Sequence, residues 1–131
     1  MNILLWVLQV LLAAVFIAHG LLLLMPPPDI AAQMLMSLPR AFWVFLGVAE
    51  VAAAIGLTLP GLTRVMPGLV SLAAAGIMIV MISATGYHIV RGENSSAVVT
   101  FVLLIMATYV AYQRWRVLPI AARRHARLTV L

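Results

Sequence analysis

Four long runs of apolar residues limit what this chain can fold into. They cover residues 3–25, 41–59, 66–90 and 97–113. A helix needs about 20 apolar residues to cross roughly 30 Å of hydrocarbon, and each run is near that length or longer. Backbone polar groups have no water to bind in lipid, so such spans form helices. We therefore predict an all-α fold, a bundle of four transmembrane helices joined by short loops.

The composition supports a membrane protein. Hydrophobic residues make up 66% of the chain and charged residues only 8%, whereas a soluble domain carries about 25% charged residues. So few polar side chains cannot cover the surface of a water-soluble globule. No basic segment precedes the first run and no small-residue cleavage site follows it. We interpret this run as a retained helix and not as a signal peptide.

The apolar runs and the prolines predict one membrane domain and a tail. The domain is expected to cover residues 1–115, and a basic cytoplasmic tail residues 116–131. The prolines at 26–28 end the first helix, because proline disfavours helix at the residue before it and lacks an N–H. A short helix over residues 30–37 is then expected to lie on the outer membrane surface.

The second run carries signals for its end and for its packing. Pro60 followed by Gly61 predicts that the helix stops there. Small residues recur at four-residue spacing on this helix and on the third one. Such surfaces let helix backbones approach closely, so the second and third spans are predicted to pack tightly together.

The arginines predict the orientation of the bundle. An even number of spans places both termini on one side, which carries Arg64 and the arginines of the carboxy-terminal part. The other side carries Arg40 and Arg91, each accompanied by an acidic residue. Positive charge concentrates on the cytoplasmic side of membrane proteins. We therefore expect a multi-pass protein of the inner (plasma) membrane with both termini in the cytoplasm.

The basic carboxy-terminal part predicts a lipid partner. Its arginines are expected to bind anionic lipid at the cytoplasmic face; they are Arg114, Arg116, Arg123, Arg124 and Arg127. No aromatic residues alternate with basic ones in a patch of the kind that binds nucleic acid, so no nucleic acid partner is expected. A protein partner or a homo-oligomer is expected instead. The chain contains no cysteine, which excludes disulfides, thiol redox centres and cysteine-ligated metals.

Glu50 is the residue in the apolar runs that most needs an explanation. Helix rise places it about 14 Å along the second span, near the middle of the membrane, and places His19 at a depth that differs by about 5 Å. An ionisable group at this depth costs several kcal/mol and normally faces the bundle interior or a wet cavity. Glu50 can be protonated, can pair with a protonated His19, or can bond a polar neighbour. A simple hydrogen bond that links its helix to the rest of the bundle is equally compatible with the sequence.

Polar residues gather in the outer half of the predicted bundle and suggest an outward-opening pocket for a ligand. The predicted pocket residues are Glu50, His19, His88, Tyr87, Arg40 and Arg91. Two histidines on different helices can ligate haem, but helix rise puts His19 and His88 at depths about 6 Å apart, which suits one macrocycle poorly. Haem is therefore not expected and no metal site is predicted. The sequence requires no cofactor, and a quinone is a possible ligand.

Several motifs, in this order and spacing, resemble the DoxX-like family of small four-helix bacterial membrane proteins. They are Ala18-His19-Gly20 at the end of the first span, Leu46, Gly47 and Glu50 on the second span, a Leu-x-x-Pro-Gly exit, and His88 with Gly92 and Glu93 after the third span. The likeness extends to about Trp115. The family commonly has a lysine a few residues after the glycine of the first helix, where this chain has only leucines and a methionine, so a pairing of Glu50 with that lysine cannot be carried over.

The resemblance implies a four-helix fold and only a loosely defined activity. The family takes its name from a subunit linked to thiosulfate:quinone oxidoreduction, other relatives accompany oxidative-stress systems, and distant animal relatives are receptor-assembly chaperones. It therefore implies a small accessory subunit of a membrane redox or quinone-linked complex, with a polar pocket around Glu50 and His19. Two alternatives stay open: an isomerase-like enzyme that uses these two residues as acid and base on a lipid-soluble substrate, or a scaffolding or assembly-chaperone protein. A proton pathway is disfavoured, because the inner half of the bundle is too apolar.

Overall fold

The computed structural model describes residues 2–123 of the chain, and it confirms an all-helical bundle. The helices are α1 (Asn2–Leu24), α2 (Pro28–Ser37), α3 (Arg40–Thr63), α4 (Gly68–Val90) and α5 (Asn94–Tyr112), and α5 continues into a π-helical turn (Gln113–Val117). No strand occurs within the described residues. The four long helices, the last of them including the π-helical turn, are long and apolar enough to cross a membrane.

The four long helices form a ring in which each helix has two neighbours. The most extensive contacts are those of α1 with α3 and of α4 with α5. Smaller contacts of α3 with α4 and of α1 with α5 close the ring. α1 and α4 are therefore diagonally opposite. The bundle core contains Leu12, Phe16, Leu57, Ile77 and Val110.

The two ends of the bundle differ in what they carry. We call one end the terminal face, which comprises the start of α1, the α3–α4 turn at 64–67 and the π-helical turn. We call the other end the opposite face, which comprises α2 and the α4–α5 turn at 91–93.

Glycines bring α1 and α3 into direct backbone contact. A Cβ atom placed on Gly20 would lie 2.9 Å from the carbonyl oxygen of Gly47, and one placed on Gly47 would lie 2.9 Å from the carbonyl oxygen of Gly20. The predicted contact between the second and third spans exists where Gly56 meets the side chain of Ala73. The more extensive contact of α3 is nevertheless with α1, which the small-residue pattern did not predict.

The second span does not end at residue 59, as we expected, but continues through Pro60 to Thr63. Proline removes one helical hydrogen bond, but packing holds the last turn in place: the side chains of Trp6 and Ile120 lie against Gly61. Tertiary packing of this kind commonly outweighs local propensity. The helix then ends at Arg64, whose φ of 58° is left-handed.

The other helix bounds differ from the predicted ones by a few residues. α2 begins at Pro28, so that Asp29 lies in its first turn. α4 begins at Gly68 and α5 at Asn94, against predicted starts at 66 and 97. The last span extends beyond its predicted end at 113, because α5 passes directly into the π-helical turn.

The chain stays at the terminal face after the π-helical turn. The backbone N–H of Arg123 donates to the carbonyl oxygen of Arg64 at 2.9 Å, and Ile120 contacts Gly61. The start of the predicted tail is therefore packed on the bundle. Arg124, Arg127 and the rest of that tail lie outside the described residues.

Candidate functional site

His19 and Glu50 form a hydrogen-bonded pair between α1 and α3. Nδ1 of His19 lies 2.7 Å from Oε2 of Glu50. The pair sits at the backbone contact described above, since His19 precedes Gly20 and Glu50 follows Gly47 by about one helical turn. The glycines let the two helices approach closely enough for these side chains to meet.

The two members of the pair are exposed very differently. The side chain of Glu50 is 2% exposed, whereas that of His19 is 50% exposed. The carboxylate is enclosed by the bundle, and the imidazole lies on the bundle's surface. In a membrane-spanning bundle, a half-exposed side chain at this depth faces lipid or a partner. Glu50 is therefore hydrogen-bonded to a residue of the neighbouring helix α1, and of the two side chains only that of His19 is accessible from outside the bundle.

The pair has a definite hydrogen-bonding chemistry. When Glu50 is ionised its carboxylate only accepts, so Nδ1 of His19 donates to it and Nε2 is left for a second partner. Nε2 accepts a hydrogen bond when the ring is neutral and donates one when it is charged. His19 makes no other hydrogen bond within residues 2–123. The arrangement can bind a carbonyl or hydroxyl group and can transfer a proton at Nε2.

Two cavities of the described bundle lie away from the His19–Glu50 pair. A cavity of about 260 Å³ near the opposite face is lined by α2 and the start of α3, including Arg40 and Trp43. A second one lies at the terminal face. Neither is lined by Glu50 or His19. The packing of α1 on α3 encloses Glu50, so His19 is the member of the pair that a ligand can reach from outside the bundle.

Arg40 has a partner other than Glu50. Its Nη1 donates to the carbonyl oxygen of Leu23 at 2.8 Å, and its Nη2 to that of Leu24 at 2.6 Å. The last carbonyls of a helix lack intrahelical partners, and a cationic side chain satisfies them well. Arg40 therefore caps α1.

The remaining predicted pocket residues form a cluster at the α4–α5 turn. His88 bonds Glu93 through Nδ1, and Nε of Arg91 donates to the other carboxylate oxygen at 2.7 Å. The guanidinium of Arg91 also lies over the ring of Tyr87, 5.3 Å from its centroid. Arg91 and then His88 lower the pKa of Glu93 below its ordinary value. The six predicted residues thus occupy three separate places.

The two histidines are not arranged around a common centre. His19 and His88 bond different carboxylates and belong to the diagonally opposite helices α1 and α4. Residues 2–123 contain no group of three or more histidine or acidic side chains that could hold a metal ion.

A buried polar cluster at the terminal face was missed by sequence reasoning. Arg114, expected at the lipid surface, is only 4% exposed. Its Nε donates to Oε1 of Gln9 at 2.6 Å and its Nη1 to Oδ1 of Asn2 at 2.7 Å. Gln9 in turn donates to the carbonyl oxygen of Leu57 at 2.7 Å. Arg114 lies within the bundle and not on its surface, because the last span continues as a π-helical turn that keeps this side chain inside.

One sequence signal could have revealed this cluster. Asn2, Trp6 and Gln9 follow a spacing that puts them on one face of α1, and Arg114 lies over the ring of Trp6 at 5.3 Å. Polar side chains on one face of an otherwise apolar helix need polar partners elsewhere in the bundle. The other described tail arginines, Arg116 and Arg123, are exposed as expected.

Comparison with known families matches residues 7–110 to the DoxX-like family. Comparisons with curated proteins and with solved structures give no match. The matched range includes both members of the His19–Glu50 pair and ends before Arg114. Since it covers well over half of the chain and reaches into all four spans, this protein belongs to the DoxX-like family.

Proposed function

We propose that this protein is a small accessory subunit of a membrane redox or quinone-linked complex. In this function the His19–Glu50 pair binds the polar group of a ligand dissolved in the membrane, and the ligand that we propose is a quinone. One observation carries the proposal: a half-exposed imidazole is held by an enclosed carboxylate on the side of a four-span bundle. The functions implied by the family resemblance support the redox context.

A quinone suits the chemistry of this pair. Its carbonyl oxygens accept hydrogen bonds, and the hydroxyl groups of its reduced form donate them. Nε2 of His19 matches both forms, because it donates from a charged ring and accepts with a neutral one. A ligand dissolved in the bilayer reaches His19 sideways, so the site needs no cavity. A hydrogen bond to a charged group contributes about 1.5–3 kcal/mol, which corresponds to roughly a 10- to 100-fold change in affinity.

The test compares variants of the full-length protein in lipid nanodiscs. We expect His19→Gln to weaken binding of a benzoquinone or naphthoquinone by about tenfold or more, because the amide cannot carry the charge that makes the imidazole a strong donor. Glu50→Gln should weaken it less, since an amide can still bond Nδ1. His88→Gln is the matched control, because that histidine bonds a different carboxylate, and it should bind like wild type. The measurement is quinone bound per protein at equilibrium.

The same variants discriminate between the alternatives. Equal quinone binding by all of them would overturn the quinone assignment. Unchanged quinone binding together with loss of a co-purifying partner from His19→Gln would favour the scaffolding function, with His19 as a contact between proteins.

Acid–base catalysis on a lipid-soluble substrate is a second candidate that one observation favours. An imidazole oriented by a carboxylate is a common arrangement for a general base. Because Glu50 is enclosed, His19 would be the residue that touches the substrate, and Glu50 would position it. Turnover of an unsaturated lipid-soluble substrate that His19→Gln abolishes, and His88→Gln preserves, would support this function.

A further inference from the structure

The cavity at the terminal face is large and mainly apolar. Its volume is about 820 Å³, and it lies between the start of α4 and the end of the last span. Leu72, Met78 and Ile120 contribute apolar walls, and Trp115 also lines it. Ligand-binding cavities have volumes of about 300–1,000 Å³. This groove therefore has room for a ligand with a substantial apolar part.

Arg114 also lines this groove, and one of its guanidinium nitrogens has no hydrogen-bond partner in the part of the chain that the structure describes. Nη2 is buried and has no hydrogen bond acceptor within residues 2–123. The other two nitrogens bond neutral acceptors, namely side-chain and backbone oxygens. An enclosed guanidinium with an unpaired donor carries a large desolvation cost unless an anion accompanies it.

The chain offers Arg114 no carboxylate side chain. Its three acidic residues are Asp29, Glu50 and Glu93. Glu50 is bonded to His19, Glu93 is bonded in the α4–α5 turn, and Asp29 lies in α2 at the opposite face. Residues 124–131 contain no acidic side chain either. No acidic side chain of the protein therefore supplies a counter-charge for Arg114, and an anion bound there would come from outside the chain.

We infer that this groove is a binding site for one anionic phospholipid, whose phosphate is bound by Arg114 and whose acyl chain lies against Leu72 and Met78. An arginine fork matches phosphate oxygens well, and basic pockets between membrane helices bind anionic head groups. Trp115 suits the level where head groups meet acyl chains. Binding at this site depends on one enclosed arginine, so it is more specific than the general attraction of a basic tail to an anionic membrane. The site is also independent of the His19–Glu50 pair.

The test measures binding of phosphatidylglycerol and of zwitterionic phosphatidylcholine to the delipidated full-length protein by native mass spectrometry. Wild type should retain one phosphatidylglycerol at least tenfold more tightly than phosphatidylcholine. Arg114→Gln should lose this preference. Arg116→Gln is the matched control, because that arginine is exposed on the same face, and it should keep the preference. An equal loss in both variants would overturn the proposal in favour of unspecific attraction.

A second variant leaves Arg114 unchanged. Ala75 lines the groove, and Ala75→Phe should fill it and exclude the acyl chain, so that phosphatidylglycerol binding falls at least tenfold. If Arg114→Gln fails to fold, undiminished lipid binding by Ala75→Phe overturns the proposal. Competition with inorganic phosphate distinguishes the source of the anion. Displacement of the lipid by millimolar phosphate alone would show a phosphate site and would contradict a lipid site.

Discussion

Both histidines in the described region bond a carboxylate through Nδ1, but the two carboxylates lie in different surroundings. Glu50 is enclosed between α1 and α3. Glu93 lies in the α4–α5 turn, where Arg91 and His88 both reach it. Only the second carboxylate, Glu93, lies outside the four spans, and its side chain is partly exposed to water. Its ionisation therefore follows the pH of the medium.

The first prediction concerns this turn. Arg91, and to a lesser extent His88, lower the pKa of Glu93 from its ordinary value of 4.5. A carboxyl with a lowered pKa in the folded state adds stability that is fully present above the unfolded pKa and is lost as the pH falls through the folded pKa. Wild type should thus have a higher melting temperature than Glu93→Gln at pH 6–7, and the difference should vanish at acid pH.

The measurement is thermal unfolding in detergent from pH 7 down to the acid limit. The difference between the two proteins should begin to shrink near pH 4.5 and below. The contact of Arg91 with the ring of Tyr87 remains in both proteins. A difference that stays constant over this whole range would show that the carboxylate has no stabilising role in the turn.

At the scale of elements, the contact between α1 and α3 positions the candidate site. Gly20 and Gly47 let the two backbones touch, and His19 and Glu50 lie beside that contact. The separation of the helices therefore sets the length of the hydrogen bond between the pair. A residue that forces the helices apart should affect stability and ligand binding together.

We expect Gly47→Ala to destabilise the bundle by about 1–3 kcal/mol, as overpacking of a tight contact generally does. The new Cβ would lie 2.9 Å from a backbone oxygen of α1, which cannot move aside as a flexible side chain does. Gly76→Ala is the control, because a Cβ there meets nothing within 4 Å and alanine favours the helix. The measurement is thermal unfolding together with quinone binding. Equal stability of the two variants would contradict the role of the glycine contact.

The elements show what could be predicted from the sequence and what could not. The spans were predictable because the length and the apolar composition of a run are enough to decide whether it can cross a membrane. The end of α3 was not, because Trp6 and Ile120 hold its last turn from distant parts of the chain. The depths of His19 and Glu50 made their pairing one of the alternatives that the sequence left open, and the structure contains this contact. The enclosure of Arg114 was not, since it depends on a π-helical turn that leaves no plain signal in the sequence.

At the scale of the whole molecule, the ring of four helices places the start of α1, the α3–α4 turn and the π-helical turn at one end. The arginine distribution predicts that this end is cytoplasmic. The chain has no cysteine, so a single introduced cysteine can be labelled without background. This makes the orientation directly measurable.

We expect Ser95→Cys in α5, near the α4–α5 turn, to react with a membrane-impermeant maleimide in right-side-out vesicles. Val65→Cys in the α3–α4 turn should react only after the membrane is opened. Both residues are exposed at the ends of the bundle. The reverse pattern would show that the terminal face is external, in contradiction to the positive-inside prediction.

The hydrogen bond between Arg114 and Asn2 joins residues 112 positions apart in the chain. It has a consequence for biogenesis. Asn2 and Gln9 enter the bilayer with the first span, long before the ribosome has made Arg114. The nascent protein must therefore hold their side chains among lipid, or against the insertion machinery, until the last span arrives. The ring of helices closes and this polar cluster is completed in the same late step, when the last span is inserted. A chain truncated before α5 would lack both the closed ring and the cluster.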